Sequence, residues 1–279
     1  MTKIETLAPS SALPQTRRGA PGQRAPRRYT YLPPVAAVLG VLLLWEAVVR
    51  IADIREIVLP TPTRILKEAI ANAPLYLEAS WVTFVESVVG FLLACVLGLA
   101  LGTAIALSRV FSTTIYPILV ASQVTPKVAI APLVIIWFGF GASSKIALTT
   151  LIAFFPVVLD TVVGLNRTTR DGLNLFRILG ASSRQTFWKL QIPGALPMIF
   201  SGIKVASTLA VIGAVIGEFA GSSSGLGYLL MVQSGQIQTA AAFANIFYLT
   251  VMGMVLFGAV VLVERLVVPR HMLIASEGV

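Results

Sequence analysis

The chain has 279 residues, of which 56% are hydrophobic and only 12% charged, with a mean hydropathy of +0.86. An ordinary soluble domain carries about 25% charged residues, so this composition excludes one and points to an all-α, polytopic membrane protein. The formal net charge of +9 is a membrane topology signal rather than a nucleic-acid footprint, since no basic face is interleaved with stacking aromatics, and the single cysteine, Cys95, excludes an intrachain disulfide and a cysteine metal cluster.

Residues 1–32 are rich in Pro, Ser, Ala and Arg without apolar periodicity, which predicts a disordered, basic, cytoplasmic leader. The first apolar run, from near Val35 to near Val49, is followed by no small-x-small cleavage site and reads as an uncleaved span. Residues 33–76 then hold this span and an external amphipathic segment, Arg64 to Ala73, set off by the prolines of Leu59-Pro60-Thr61-Pro62-Thr63. A second span lies within residues 77–108, its start an extramembrane turn carrying Glu78 and Glu86, its core the GxxxG pair Gly98 and Gly102. Arg109 and Ser112-Thr113-Thr114 form a cytoplasmic turn. The third span, Ile118 to Phe138, is interrupted by Pro126 and Pro132 with Lys127 between them. Lys127 is either an ionisable group at membrane depth, hence a candidate for the translocation path, or an anchor at the cytoplasmic interface. An outward turn carrying Lys145 leads to a fourth span, Ile146 to about Leu165, with Asp160 near its inner end, solvated or paired with Arg167.

The segment Asp171–Pro197 is a basic amphipathic insert that reads as a helix–turn–helix. Asp171 is the expected cap of a first helix with Leu173, Phe176 and Leu179 on one face, and Gly180 supplies a left-handed end. Ser182 and Gln185 have the spacing of a capping box, opening a second helix that carries Phe187 and Leu190 until Pro193 stops it. Such a hairpin is too long for a connector and too small to fold alone, which suits docking onto another protein; the alternative is a helix lying on lipid headgroups. The fifth span, Met198 to Ala220, carries Gly213, Gly217 and Gly221 on a smooth face for a partner subunit or a path. With Lys127, Gly213, Gly217 and Glu218 are the candidate path residues. Lys204 and Glu218 are about 21 Å apart along the helix and cannot pair. A flexible polar segment, Gly221 to Tyr228, precedes a short helix ending near Gly235 and a sixth span, Ala241 to Val263. The cytoplasmic tail, residues 266–279, holds the one histidine, His271, with no second ligand nearby in sequence. No catalytic residue, metal site or cofactor is expected, and no Walker-type glycine loop is present, so ATP hydrolysis would fall to a partner. Lys and Arg of the inner segments outnumber those of the outer ones (Arg50, Arg55, Arg64, Lys67 and Lys145), which places both termini and the insert in the cytoplasm.

Gly180, Leu190 and Ile192-Pro193 resemble the cytoplasmic "EAA" loop of the permease subunits of bacterial ABC importers, although Asn174, Leu175 and Phe176 stand where that family has Glu-Ala-Ala. The resemblance extends over about residues 55 to 265. Leu59-Pro60-Thr61-Pro62, Ile130 to Lys145 and Gly225-Leu226-Gly227-Tyr228 are similar to the nitrate/sulfonate/taurine branch. It implies a type I ABC importer (MetI-like) permease fold of about six transmembrane helices, with a core at 77–265 and a coupling loop at 168–193. In that loop Asn174, Phe176, Gly180, Ala181, Ser182, Phe187, Leu190, Ile192 and Pro193 would meet the ATPase. The implied partners are an ABC ATP-binding subunit, an external substrate-binding protein and a second permease copy in a homodimer, all at the bacterial plasma (inner) membrane. The implied function is import of a small solute (sulfonate, taurine, nitrate, or a vitamin or its precursor) by alternating access. A secondary, ion-coupled transporter is the alternative; it would need intramembrane carboxylates or paired broken helices in two repeats, and no internal repeat is visible.

Overall fold

A computed structural model describes residues 32–268. The leader up to residue 31 and the tail from residue 269, with His271, lie outside the described residues. The chain divides at Trp45 into an N-terminal unit, described from the start of helix α1 (Leu32–Ile51), and a body from Glu46 onward. The body continues with α2 (Pro62–Ala71), α3 (Ala73–Leu107), α4 (Arg109–Ser122), α5 (Lys127–Phe138) and α6 (Ala142–Asn166). It ends with α7 (Arg170–Ile178), α8 (Ser183–Thr186), a π-helical turn (Phe187–Gln191), α9 (Ile192–Gly221), α10 (Leu226–Gly235) and α11 (Thr239–Val267). Among the described residues five helices are long and apolar enough to cross a membrane, and a sixth crossing exists if α4 and α5, bent by 101° at their break, count as one.

Glycine sets how the long helices meet. A Cβ at Gly90 would strike Thr149, one at Gly98 would fall 2.7 Å from Val157 Cβ, and one at Gly102 would fall 2.7 Å from Thr161 Cβ. The contacts advance in the same direction along both helices, so α3 and α6 run parallel at close backbone approach. Parallel neighbours require the chain to return between them. The bent α4–α5 pair must therefore carry it from the level of Leu107 back to that of Ala142, which makes it the sixth crossing. The opposite face of α6 packs on α9 in the antiparallel sense: Gly164 meets Ala195, Gly202 meets Pro156 and Asp160, Gly213 meets Thr149, and Gly217 meets Lys145. α11 runs antiparallel to α9, joined to it where Lys204 Nζ donates to Glu264 Oε1 at 3.0 Å.

Several expectations change. The prolines separate α1 from α2 as expected, and Pro62 itself opens α2, where a missing N–H costs nothing, with Thr61 capping the Arg64 N–H. The prolines 126 and 132 leave Pro126 as the cap residue of α5 and Pro132 within it. Arg109 to Thr114 is the start of α4 rather than a turn. Glu86 lies within α3, buried, and Lys145 lies in the first turn of α6, also buried, so neither is a surface charge. Removing Lys145 from the outer set sharpens the charge asymmetry. Asp160 pairs with no cation among the described residues, and Arg167 caps the end of α6 instead. Cys95 packs beside the main core.

Because the α3–α6 contact relies on absent side chains, Gly98→Ala is expected to destabilise the purified subunit by about 1–3 kcal/mol through overpacking. Gly253→Ala, where a Cβ would meet nothing within 4 Å, is expected to be neutral or stabilising. Apparent melting midpoints of the two variants in detergent check the contrast.

Candidate functional site

The insert forms a capped hairpin, with details that differ from expectation. Thr169, not Asp171, caps α7: its hydroxyl accepts the Gly172 N–H at 3.3 Å, and Asp171 sits two residues further on, inside the first turn. Gly180 adopts φ +70, the left-handed conformation that ends the helix, while the Ala181 N–H returns to the Phe176 carbonyl. Ser182 and Gln185 make both bonds of the capping box: the Gln185 N–H donates to Ser182 Oγ at 3.3 Å and the Ser182 N–H to Gln185 Oε1 at 2.9 Å. Asn174 Oδ1 accepts from Arg177 at 3.0 Å.

Pro193 does not stop the second arm. Its ring cannot donate to the ladder and would crowd the carbonyl of Lys189, and the turn before it is widened to π geometry, with the Ile192 N–H reaching the Phe187 carbonyl. Ser183 to Gly221 thus forms one helical run of 39 residues. The second arm is the start of a helical run long and apolar enough to cross a membrane.

Leu173 and Phe176 are partly covered, and Leu190 lies 3.5 Å from where a Cβ on Gly172 would stand, so α7 rests on the second arm. Leu179 does not join that inner face. With Ile178 (82% exposed), Leu179 (72%) and Trp188 (60%), the hairpin presents apolar side chains outward beside Arg177 and Arg184. Leu107, Leu173, Arg177, Arg184, Phe187 and Gln191 line a basin of about 630 Å³ between the hairpin and the end of α3.

The other candidate path residues lie elsewhere. Lys127 opens α5 at the break with α4, half-buried, its ammonium 4.8 Å from the centre of the Phe155 ring, a cation–π contact. Gly213 and Gly217 have their open faces taken up by α6. Glu218 belongs to a buried polar centre that sequence reasoning missed. Glu86 of α3 is 3% exposed, Lys145 of α6 5% and Glu218 of α9 0%. Lys145 Nζ stands 3.8 Å from Glu86 Oε1 and 3.4 Å from the Phe140 carbonyl. Glu218 accepts the Thr83 hydroxyl at 2.7 Å and the Gly227 N–H, and Thr83 in turn accepts the Leu226 N–H at 2.8 Å. Asn245 of α11 donates to the Leu226 carbonyl at 3.0 Å and to Gln233, which reaches Tyr76. The segment expected to be flexible is therefore pinned, and Gly225, at φ +101 and against the Glu218 carboxyl, admits no side chain. No sequence motif marks this grouping, because its members come from five helices, α3, α6, α9, α10 and α11.

A family model described as "Binding-protein-dependent transport system inner membrane component" matches residues 94–269. The formylaminopyrimidine transport permease protein ThiX of Halalkalibacterium halodurans is 35% identical over 87% of this chain and 97% of its own length. The putative aliphatic sulfonates transport permease protein SsuC of Bacillus subtilis is 32% identical over 92% of this chain and 94% of its own. A chain of the MetNI methionine ABC transporter, solved in inward facing conformations, shares the fold with TM-score 0.61 at 20% identity, over 71% of this chain and 99% of that one.

Thr83→Val removes the hydroxyl that joins Glu218 to Leu226 while keeping the side-chain shape. It is expected to cost about 1–3 kcal/mol locally, read as at least about tenfold faster amide hydrogen exchange over residues 222–228 with the hairpin unchanged.

Proposed function

The chain belongs to the inner-membrane components of binding-protein-dependent transport systems, the permeases of ABC importers, and from that premise we propose that its hairpin couples it to a separate ATP-binding subunit that drives solute import. The observation that carries this reading is the outward apolar set of Ile178, Leu179 and Trp188 on a hairpin closed by two side-chain caps and continuous with α9. An exposed apolar cluster on a rigid support is a docking surface, and a rod continuous with a span transmits displacement without bending at a joint. Closure of the ATPase pair on ATP would push the hairpin and reorient α6 and α9, switching the path between inward-open and outward-open. The hairpin and both termini lie on the cytoplasmic side, an external binding protein delivers solute at the other face, and two copies of the chain enclose the path.

The relatives are named for transport of a formylaminopyrimidine, aliphatic sulfonates, taurine and nitrate. The solute proposed here is accordingly small: a sulfonate, taurine, nitrate, or a vitamin or its precursor. Lys127 is assigned to the path on the strength of its place at a helix break, where freed backbone groups and an ammonium stand together.

Ile178→Asp combined with Leu179→Asp is expected to abolish co-purification of the ATP-binding subunit while leaving the subunit folded. Retained ATPase at normal yield overturns the docking role. Gly180→Val, which forces a β-branched residue into φ +70, is expected to leave the complex assembled but to lower solute uptake per ATP hydrolysed at least about tenfold in proteoliposomes. Lys127→Met is expected to reduce uptake without changing basal ATPase; unchanged uptake at normal expression removes Lys127 from the path.

A further inference from the structure

The segment 167–191 carries five basic residues, Arg167, Arg170, Arg177, Arg184 and Lys189, against one acid, Asp171. Two of the five, Arg177 of α7 and Arg184 of the second arm, line the same basin of about 630 Å³ between the hairpin and the end of α3. No carboxyl group lines it. Among the described residues neither guanidinium takes part in an ion pair, and Arg177 donates instead to the neutral Asn174 amide at 3.0 Å. The basin thus gathers two positive charges that the chain does not balance, and an anion between them would replace repulsion with attraction.

The lining selects the anion. A guanidinium presents its donors as a planar fork that matches a phosphate group bidentately. Ser183 adds a hydroxyl and Gln191 an amide. The rest of the wall, Leu107, Leu173 and Phe187, is apolar, and Leu107 is 58% exposed. An inorganic ion gains nothing from such a wall, whereas a phosphate ester with an apolar chain buries it. The level of the basin agrees. From Ser87 to Ser108 the sequence carries no charged residue, a run sufficient to cross the hydrocarbon of a bilayer, and Arg109 follows at once. Leu107 therefore sits where hydrocarbon gives way to headgroups, and the basin adjoins that boundary.

We propose that the basin is a phosphate-binding site in which Arg177 and Arg184 clasp one phosphate group, one arginine from each arm of the hairpin. The apolar wall and its level favour the headgroup of an anionic phospholipid over a free phosphate ester as the source. Ile178, Leu179 and Trp188 are absent from this lining, so the site is separate from the docking tip. A phosphate held in this way braces α7 against the second arm beside the membrane. The inference rests on the transport reading only for the leaflet, the cytoplasmic one.

The test uses the full-length permease with its ATP-binding subunit, delipidated in detergent. Wild type is compared with the double variants Arg177→Gln/Arg184→Gln and Arg177→Lys/Arg184→Lys, and with Arg170→Gln, a basic residue of the hairpin outside the basin. Phosphatidylglycerol, phosphatidylcholine and glycerol 3-phosphate are titrated separately, with melting midpoints and native mass spectra as readouts. Phosphatidylglycerol is expected to raise the wild-type midpoint and stay bound, and phosphatidylcholine, whose choline cancels the charge, to bind more weakly. The double Gln variant is expected to lose at least about tenfold in affinity for phosphatidylglycerol, the double Lys variant, which keeps the charge without the fork, a smaller part, and Arg170→Gln nothing. A wild-type response to glycerol 3-phosphate assigns the site to free phosphate esters, and its absence assigns the site to lipid; both uphold it. Undiminished binding in the double Gln variant, or an equal loss in Arg170→Gln, reveals diffuse attraction to a basic segment and overturns the proposal. Loss of the ATP-binding subunit from the double Gln variant at intact phosphatidylglycerol affinity gives the two arginines to the protein interface and overturns it equally. Where the double Gln variant does not fold, the double Lys variant decides, since full wild-type affinity there refutes the fork. If the wild-type chain holds no ATP-binding subunit, the coupling reading fails, and the same titration on the permease alone still decides the site.

Discussion

The structure depends on close approach of backbones along α6. Glycines of α3 meet one face of that helix and glycines of α9 meet another, at spacings where a single added methyl group would collide. In lipid, helices gain little from burying apolar surface against each other, so close packing and buried polar contacts must hold the assembly. Both occur in the same register. The rung below Gly90 and Thr149 on the α3–α6 ladder is Glu86 and Lys145, and Gly217 of α9 presses on the Lys145 backbone, bringing Glu218 alongside. Charges that would be prohibitive singly are brought together by the packing that excludes water from them.

The hairpin solves a different problem. None of its residues from Arg170 to Gln191 is fully buried, and its order comes from local chemistry: a threonine cap, a left-handed glycine and a reciprocal serine–glutamine box. Its second arm runs without a break into a membrane rod. The stiff part of the protein therefore extends beyond the region that lipid could stabilise, and the apolar side chains at its tip remain uncovered within the chain.

Much of this was legible in the amino-acid sequence because it rests on local rules. The capping box, the turn at Gly180, the GxxxG pair, the amphipathic second helix and the long apolar runs all express contacts within a few residues or a demand for bilayer length. Glu86 and Lys145 were misplaced for the complementary reason. Each stands near the edge of an apolar run, where a charge ordinarily meets water, and only the pairing of α3 with α6 reveals that the two meet in the interior. Pro193 misled because a proline reads as a terminator, whereas a widened turn ahead of it lets the helix pass. Leu179 fits the apolar stripe by period but lies past the last regular turn, so it points away from the second arm. The polar loop at 222–224 looked mobile, since nothing in its own residues announces the distant carboxylate that holds its neighbours.

The widened turn at Phe187–Gln191 also fixes an angle. It houses one residue more than a regular turn would, so the portion of the rod ahead of it is out of phase with the portion behind by about 100°. A helical wheel drawn continuously through Ser183 to Gly221 would assign Trp188 and its neighbours to the wrong meridian. The azimuth at which the protruding tip faces the membrane-embedded bundle is thus governed by a single surplus peptide unit, and its bearing is independent of the tip's own side chains.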